Sequence, residues 1–231
     1  MTWHRLLVLS LGALIADFLA IMAVNGAVIP PLVVMSVLYV GVLAALSRWQ
    51  GRRIHIAVGA LVVLLLIGNL PYVVPDLGHP ETFATFVTTV VALLASVVAI
   101  GAAAAAAMAA GDARARAASM LVAALLAITV VGSAAGSMAA GDAAGRPGDV
   151  RVTAQGVAYP SALEAKAGTV GFLVENRDPV RHTFVIDGRP VQQELPAGRS
   201  RRVEVALAAG TYQFRCDVLG HERMQGTITV K

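Results

Sequence analysis

A short segment near the end of the sequence carries side chains that bind soft metal ions. Cys216, His221 and Met224 fall within nine residues and offer a thiolate, an imidazole and a thioether. Such ligands favour copper, and a trigonal site of two His and one Cys with a weak axial Met is typical of electron-transfer copper centres. The pattern therefore requires one more histidine.

His182 is the only other histidine after residue 150. It follows a predicted strand, 169–176, and the short loop 177–181. In a β-sandwich this loop and the loop after Cys216 can meet at the same end. We therefore predict one copper ion held by His182, Cys216, His221 and Met224, with no organic cofactor and no catalytic residue.

Each of these residues also has a plainer interpretation. Cys216 is the only cysteine in the chain, and a free cysteine is most often a small buried hydrophobic residue. His182 could cap or fill the core, and Met224 alone would more often be core filler than a ligand. The residue types and spacings favour the metal site without excluding these alternatives.

Residues 150–231 resemble the cupredoxins, the family of plastocyanin and azurin. The matching features are the turn Ala167-Gly168-Thr169, Asn176 ahead of His182, Tyr212-x-Phe214-x-Cys216, the Gly220-His221 step, Met224 and the closing strand 226–230. The resemblance implies a Greek-key β-sandwich with copper held by His182, Cys216, His221 and, weakly, Met224. It does not extend to residues 1–149.

The spacing of the ligand loop departs from plastocyanin and azurin. Four residues separate Cys216 from His221, but only two separate His221 from Met224. This departure affects the expected length of the axial bond between Met224 and copper, and therefore the reduction potential and colour of the site.

Short runs of β type with frequent turn signals follow residue 150. They predict a small antiparallel β-sandwich, with strands at 150–155, 169–176, 182–187, 201–207, 211–217 and 226–230. The Gly-rich segment 139–149 has the composition of a flexible linker.

The composition of the chain indicates a membrane protein. Hydrophobic residues make up 57% of it and charged residues 14%, and the mean hydropathy is +0.73. A soluble globular protein has fewer hydrophobic and more charged residues. The net charge is only +4, without clusters of basic and aromatic residues, so we expect no nucleic-acid partner.

The first part of the chain, residues 1–138, contains apolar stretches long enough to cross a bilayer, which requires roughly 20 residues each. We predict a multi-span α-helical domain with about five transmembrane helices at 6–28, 29–46, 56–74, 83–108 and 119–138. Pro30 and Pro31 separate the first two. Arginines at one set of span ends predict a cytoplasmic N-terminus and an extracytoplasmic C-terminal domain.

Two classes of function fit these features. The first is a membrane-anchored electron carrier whose copper cycles between Cu(II) and Cu(I) and whose partner is a redox protein outside the cytoplasm. The second is copper capture, handling or transport, because five spans exceed what an anchor needs. The chain could also be the cupredoxin-bearing subunit of a larger respiratory complex. Asp17, at the middle of the first span, is either a functional carboxyl or a structural contact between helices.

Overall fold

The computed structural model describes residues 2–231, as five helices followed by eight strands. The helices are α1 (Trp3–Asn25), α2 (Pro30–Arg48), α3 (Arg52–Asp76), α4 (Phe83–Ala107) and α5 (Ala113–Ala139). The chain divides into two compact units: residues 1–80 with 85–133, and residues 81–84 with 134–231. All five helices are apolar and long enough to cross a membrane, as predicted.

Local signals in the sequence explain where the first helices begin and end. The Thr2 side chain accepts a hydrogen bond from the Arg5 N–H at 3.2 Å and caps the start of α1. Gly26 ends the helix because it adopts a left-handed conformation, φ 60°, which glycine enters without steric cost. Pro30 occupies the first turn of α2, where a missing N–H removes no helical hydrogen bond.

The helical unit is packed around one side of α1. Leu7, Leu11 and Leu14 of α1 recur at helical spacing and are buried in the core of this unit. Phe18 is buried beside them and stacks on Tyr39 of α2, with ring centroids 6.1 Å apart. Helix α4 contributes small residues, and its Ala103 Cβ would lie only 3.2 Å from a Cβ placed at Gly59 of α3. Small side chains allow close helix packing, which is common among membrane helices.

The β unit consists of a three-stranded and a five-stranded sheet. The strands are β1 (Val150–Ala154), β2 (Ala162–Ala165), β3 (Gly168–Asn176), β4 (His182–Ile186), β5 (Val191–Leu195), β6 (Ser200–Leu207), β7 (Gly210–Arg215) and β8 (Gln225–Val230). The sheet orders are β1-β3-β6 and β2-β8-β7-β4-β5. Phe172, Phe184, Phe214 and Ile228 are fully buried in the core of this unit.

The sequence did not reveal two of the eight strands, β2 and β5. They form the two edges of the five-stranded sheet, and their sequences, ALEA and VQQEL, contain only one β-branched residue between them. Edge strands pair on one side only and depend less on strand-forming residues.

Two strand pairs depart from the antiparallel pairing that the sequence predicts. β1 runs parallel to β3, and β2 runs parallel to β8. Parallel neighbours require a crossover connection. Here the chain leaves β1, forms β2 in the other sheet, and returns to form β3.

Residues 140–149 have no helix or strand, but they are attached to β6. The Asp142 carboxylate accepts the Ser200 N–H at 2.8 Å, and the Asp149 carboxylate accepts two hydrogen bonds of 2.8 Å from the Arg202 guanidinium. A Cβ at Gly171 would clash with the Asp149 carboxylate, so the absence of a side chain there makes room for this ion pair. These contacts attach the segment to β6, and its role as a flexible linker stays a prediction.

Candidate metal centre

The strand register brings His182 and Cys216 to the same end of the five-stranded sheet. β4 and β7 are antiparallel neighbours, with Val185 opposite Arg215. His182 is the first residue of β4, and Cys216 directly follows the last residue of β7. His221 lies in the loop between β7 and β8, which returns over the same end.

These three residues place one ligand atom each around a common point. The Nδ1 atoms of His182 and His221 are 3.1 Å apart, and the Cys216 Sγ lies 4.0 Å from the first and 3.7 Å from the second. The three atoms all lie within 4.8 Å of one another. The structure thus brings together the three equatorial ligands that the sequence predicts.

The size of this triangle fits a metal ion at its centre. If the metal bonds are about 2.0 Å to nitrogen and about 2.3 Å to sulfur, the observed separations correspond to ligand–metal–ligand angles of about 100°, 120° and 135°. Such angles nearly complete a circle, so the three ligand atoms would surround the ion in one plane. A trigonal plane of two imidazoles and one thiolate is the geometry of type 1 copper.

A second pair of histidines shows a different geometry. In the helical unit, His4 Nδ1 lies 3.3 Å from His55 Nε2, with ring centroids 5.6 Å apart. The centroids of His182 and His221 are only 4.9 Å apart. The rings of His4 and His55 therefore point at each other, as in a direct N–H···N hydrogen bond, whereas those of His182 and His221 turn toward a shared point.

Burial limits solvent access to the centre. His182 is fully buried and Cys216 is 4% exposed, while His221 is half-buried. Burial is the main cause, and electrostatic interactions with His182 and Arg181 add to it, so the pKa of His221 is lowered to about 4. An imidazole that stays neutral near pH 7 keeps a lone pair available for a metal.

The ligand loop is closed by backbone hydrogen bonds that involve the predicted ligands. The Cys216 N–H donates to the Met224 carbonyl at 2.9 Å, and the Met224 N–H donates to the His221 carbonyl at 2.8 Å. The Met224 side chain is fully buried in the same core cluster as Cys216. Ligation by its sulfur stays a prediction.

Asn176 fixes the loop 177–181, which directly precedes His182. Its side-chain amide donates to the carbonyls of Val180, Leu195 and Pro196 at 2.8, 2.9 and 3.1 Å, and its side-chain oxygen accepts the Asp178 N–H at 2.9 Å. A buried amide with this many partners fixes a loop that has no regular structure.

Sequence reasoning missed Thr183, which contacts the sulfur of Cys216, and Asp217, which is hydrogen-bonded to Thr183. The Thr183 N–H donates to Cys216 Sγ at 3.4 Å. Its hydroxyl accepts the Asp217 N–H at 2.9 Å and donates to the Asp217 carboxylate. Their positions next to His182 and Cys216 are the only sequence signal that could have pointed to them.

Sequence reasoning also missed Asp178. It lies four residues before His182, is 7% exposed, and accepts a hydrogen bond of 2.9 Å from His182 Nε2. Burial alone would raise its pKa, but hydrogen bonds from the N–H groups of Val157 and Gly156 and from His182 lower the pKa below its usual value. A carboxylate bonded to the second nitrogen of a ligand histidine is a common feature of metal sites.

Comparisons with known proteins concern the C-terminal part of the chain. A family model described as a cupredoxin-like domain matches residues 120–230. No curated protein matches the chain.

Among solved structures, the chain is similar to a Cu(I) form of an amicyanin mutant, at 21% identity over 38% of this chain and 86% of amicyanin, with a TM-score of 0.31. A purple cupredoxin from Nitrosopumilus maritimus matches at 22% identity over 36% of this chain and all of that protein, with a TM-score of 0.29. A copper-containing nitrite reductase from Thermus scotoductus SA-01 matches at 26% identity over 39% of this chain and 24% of the enzyme, also with a TM-score of 0.29.

The C-terminal unit is therefore a cupredoxin-like domain, of the copper-binding, electron-transfer type. His182, Cys216 and His221 form its candidate type 1 copper site. In this chain the domain follows five long apolar helices.

Proposed function

We propose that this protein is a membrane-anchored blue copper protein that carries electrons on the extracytoplasmic side of a membrane. The observation that carries the proposal is the convergence of His182 Nδ1, His221 Nδ1 and Cys216 Sγ on one point. Copper bound there would supply one-electron chemistry between Cu(II) and Cu(I).

Each ligand residue would have a distinct role. Cys216 would provide the covalent thiolate bond, and the two histidines would complete the plane. Met224 would act weakly from the axial direction, where a ligand tunes the reduction potential. The buried surroundings would exclude water and keep the coordination unchanged between oxidation states.

The surface next to His221 suits contact with a redox partner. His221 is the least buried of the three equatorial ligands, and the nearby Leu219 is 50% exposed. An exposed apolar side chain beside the ligand edge would exclude water where a redox protein docks. We propose that electrons enter and leave through this edge.

The helices would place this site outside the cytoplasm. Arg5 lies in the first turn of α1, and further arginines lie at the α2 to α3 connection (Arg48, Arg52, Arg53) and at the α4 to α5 connection (Arg114, Arg116), whereas the other two connections have none. Positive residues favour the cytoplasmic side. We therefore assign residues 1–138 to the membrane domain, with the N-terminus inside, and residues 150–231 to the outer copper domain, connected by residues 139–149.

Electron transfer alone requires no nucleophile or general base from this chain, so we do not propose an enzyme. Copper handling is the second candidate, because one helix would suffice as an anchor and the chain has five. A role as the cupredoxin-bearing subunit of a larger respiratory complex would also use the extra helices, as a docking surface for other subunits.

The test is the absorption spectrum of the full chain, purified in detergent and loaded with copper. The wild-type protein should show an intense thiolate-to-Cu(II) band, and Cys216→Ser should abolish it because a hydroxyl cannot replace the soft ligand. His79→Ala, which changes a histidine in the connection before α4, is the matched control for His221→Ala: the control should keep the band and His221→Ala should lose it. A colourless wild-type protein would overturn the proposal.

A further inference from the structure

A turn in an unusual backbone conformation lies close to the candidate metal centre. In the turn 155–158, Gly156 and Val157 both have positive φ angles, 65° and 55°, and the Gln155 N–H donates to the Ala158 carbonyl at 3.1 Å. A β-branched residue with positive φ is a genuine outlier. Such a conformation persists only where surrounding contacts hold it in place.

The contact that holds this turn is the carboxylate of Asp178. Its Oδ1 accepts the Gly156 N–H at 2.6 Å, and its Oδ2 accepts the Val157 N–H at 2.9 Å. Successive backbone N–H groups in such a turn form a concavity that binds an anion. The unusual φ of Val157 is thus what directs both N–H groups at one carboxylate.

The same carboxylate determines which nitrogen of His182 carries the proton. Asp178 Oδ2 lies 2.9 Å from His182 Nε2, and an ionised carboxylate only accepts hydrogen bonds. His182 is fully buried, so its Nε2 must donate to Asp178. This leaves the lone pair of Nδ1 directed at His221 Nδ1 and Cys216 Sγ.

We propose that Asp178 is a positioning residue of the copper site and holds His182 in the Nε2–H tautomer. In this proposal the turn at Gly156 and Val157 fixes the position of the Asp178 carboxylate. The inference rests on the proposed function, because it takes His182 as a ligand. A negative charge on the far side of the imidazole strengthens Nδ1 as a donor, which favours Cu(II) over Cu(I).

Asp178→Asn is the diagnostic variant. Asp178 accepts from three donors, whereas an asparagine side chain has one acceptor and would direct its NH₂ group at another donor. Changes of this kind lower metal affinity by about 10- to 100-fold. We expect the loss of affinity to be larger for Cu(II) than for Cu(I). Each tenfold increase in the ratio of the Cu(II) to the Cu(I) dissociation constant raises the reduction potential by about 59 mV.

The experiment compares the full-length wild-type protein, Asp178→Asn, Asp178→Glu and Asp187→Asn, each loaded with copper. Asp187 is an exposed aspartate paired with Arg215, so Asp187→Asn makes the same chemical change away from the centre. We expect the highest potential and the weakest Cu(II) complex in Asp178→Asn, a smaller change in Asp178→Glu, and wild-type values in Asp187→Asn. Equal potentials in Asp178→Asn and Asp187→Asn would overturn the inference.

A second measurement requires neither copper nor a variant. Nitrogen NMR of the copper-free wild-type protein should show His182 protonated at Nε2, and protonation at Nδ1 would overturn the inference even if Asp178→Asn fails to fold. The proposed function and the proposed role of Asp178 can be refuted independently. An absent copper band refutes the proposed function, whereas a copper band together with the Nδ1–H tautomer refutes only the role of Asp178.

Discussion

The backbone N–H of Thr183 donates to the sulfur of Cys216 at 3.4 Å. Thr183 follows the candidate ligand His182, and Cys216 is a second candidate ligand, so this hydrogen bond joins the ends of β4 and β7 at the candidate site. A hydrogen bond to a metal-bound thiolate withdraws charge from the sulfur and tunes the potential. Because the donor is a backbone group, side-chain replacement at Thr183 leaves this bond in place.

Thr183→Val should therefore destabilise the domain without abolishing the copper band. The variant removes the hydroxyl that bonds to Asp217, which should lower the free energy of unfolding by about 1 kcal/mol. The measurement is guanidinium unfolding followed by the copper-thiolate band. Thr211→Val, at an exposed position of β7, should change the same quantity by less than about 0.5 kcal/mol. Equal losses in the two variants would contradict the role of the hydroxyl.

Acid should weaken the attachment of residues 140–149 to β6. The hydrogen bonds from the Arg202 side chain and then from the Arg146 N–H lower the pKa of Asp149 from 3.8 to about 2. Because the folded-state pKa is the lower one, ionised Asp149 stabilises the fold above about pH 4, and this contribution is lost as the pH falls toward 2.

Thermal unfolding between pH 5 and pH 2 tests this effect. Wild-type protein should lose more stability across this range than Asp149→Asn, which has no carboxylate to protonate. Asp187→Asn again serves as the control, since its pairing with Arg215 is exposed on both sides. Parallel curves for the wild-type protein and Asp149→Asn would show that this ion pair does not contribute to acid sensitivity.

The candidate ligands are indicated by the sequence, but the groups around them are not. Cys216, His221 and Met224 stand within one loop, so residue type and spacing alone indicate a soft metal site. Thr183 contacts Cys216 because β4 pairs with β7, and Asp178 is fixed by the turn at Val157. Sequence patterns do not specify either contact, because both join segments that are distant along the chain.

A similar contrast applies to the architecture. The five apolar helices were predictable because length and composition suffice to identify them. Composition also suggested a flexible linker at 139–149, since glycine and alanine dominate there. Two acidic residues in that segment, Asp142 and Asp149, instead bond to Ser200 and Arg202 of β6. Such pairing depends on the folded sheet and leaves no periodic signal.

The proposed topology can be tested with single cysteines introduced into the Cys216→Ser background. A membrane-impermeant thiol reagent applied to intact cells should label Ala144→Cys, which is exposed and lies outside in our assignment, but not the exposed Ser47→Cys. Both sites should react after the cells are permeabilised. The opposite labelling pattern would mean either that the N-terminus lies outside or that α1 and α2 together cross the membrane only once, and either result would overturn the proposed topology.

Asp17 distinguishes an anchoring role of the helices from a transport role. Its side chain is 6% exposed, and no group within residues 2–231 hydrogen-bonds to its Oδ2. An ionisable group inside a span is costly and often marks an ion or proton path. The helices therefore contain at least one residue whose replacement should affect transport, if they transport copper or protons.

We expect Asp17→Asn to leave both cellular copper accumulation and the potential of the copper site unchanged, because an anchor needs no carboxyl and the copper site belongs to the other compact unit of the chain. The measurement is copper uptake in membranes matched for protein content, with Cys216→Ser tested beside Asp17→Asn. If the helices conduct copper or protons, Asp17→Asn should slow uptake while the absorption band of the outer domain is retained. That outcome would favour copper handling over electron transfer, because it would separate a transport function in the helices from an intact copper centre.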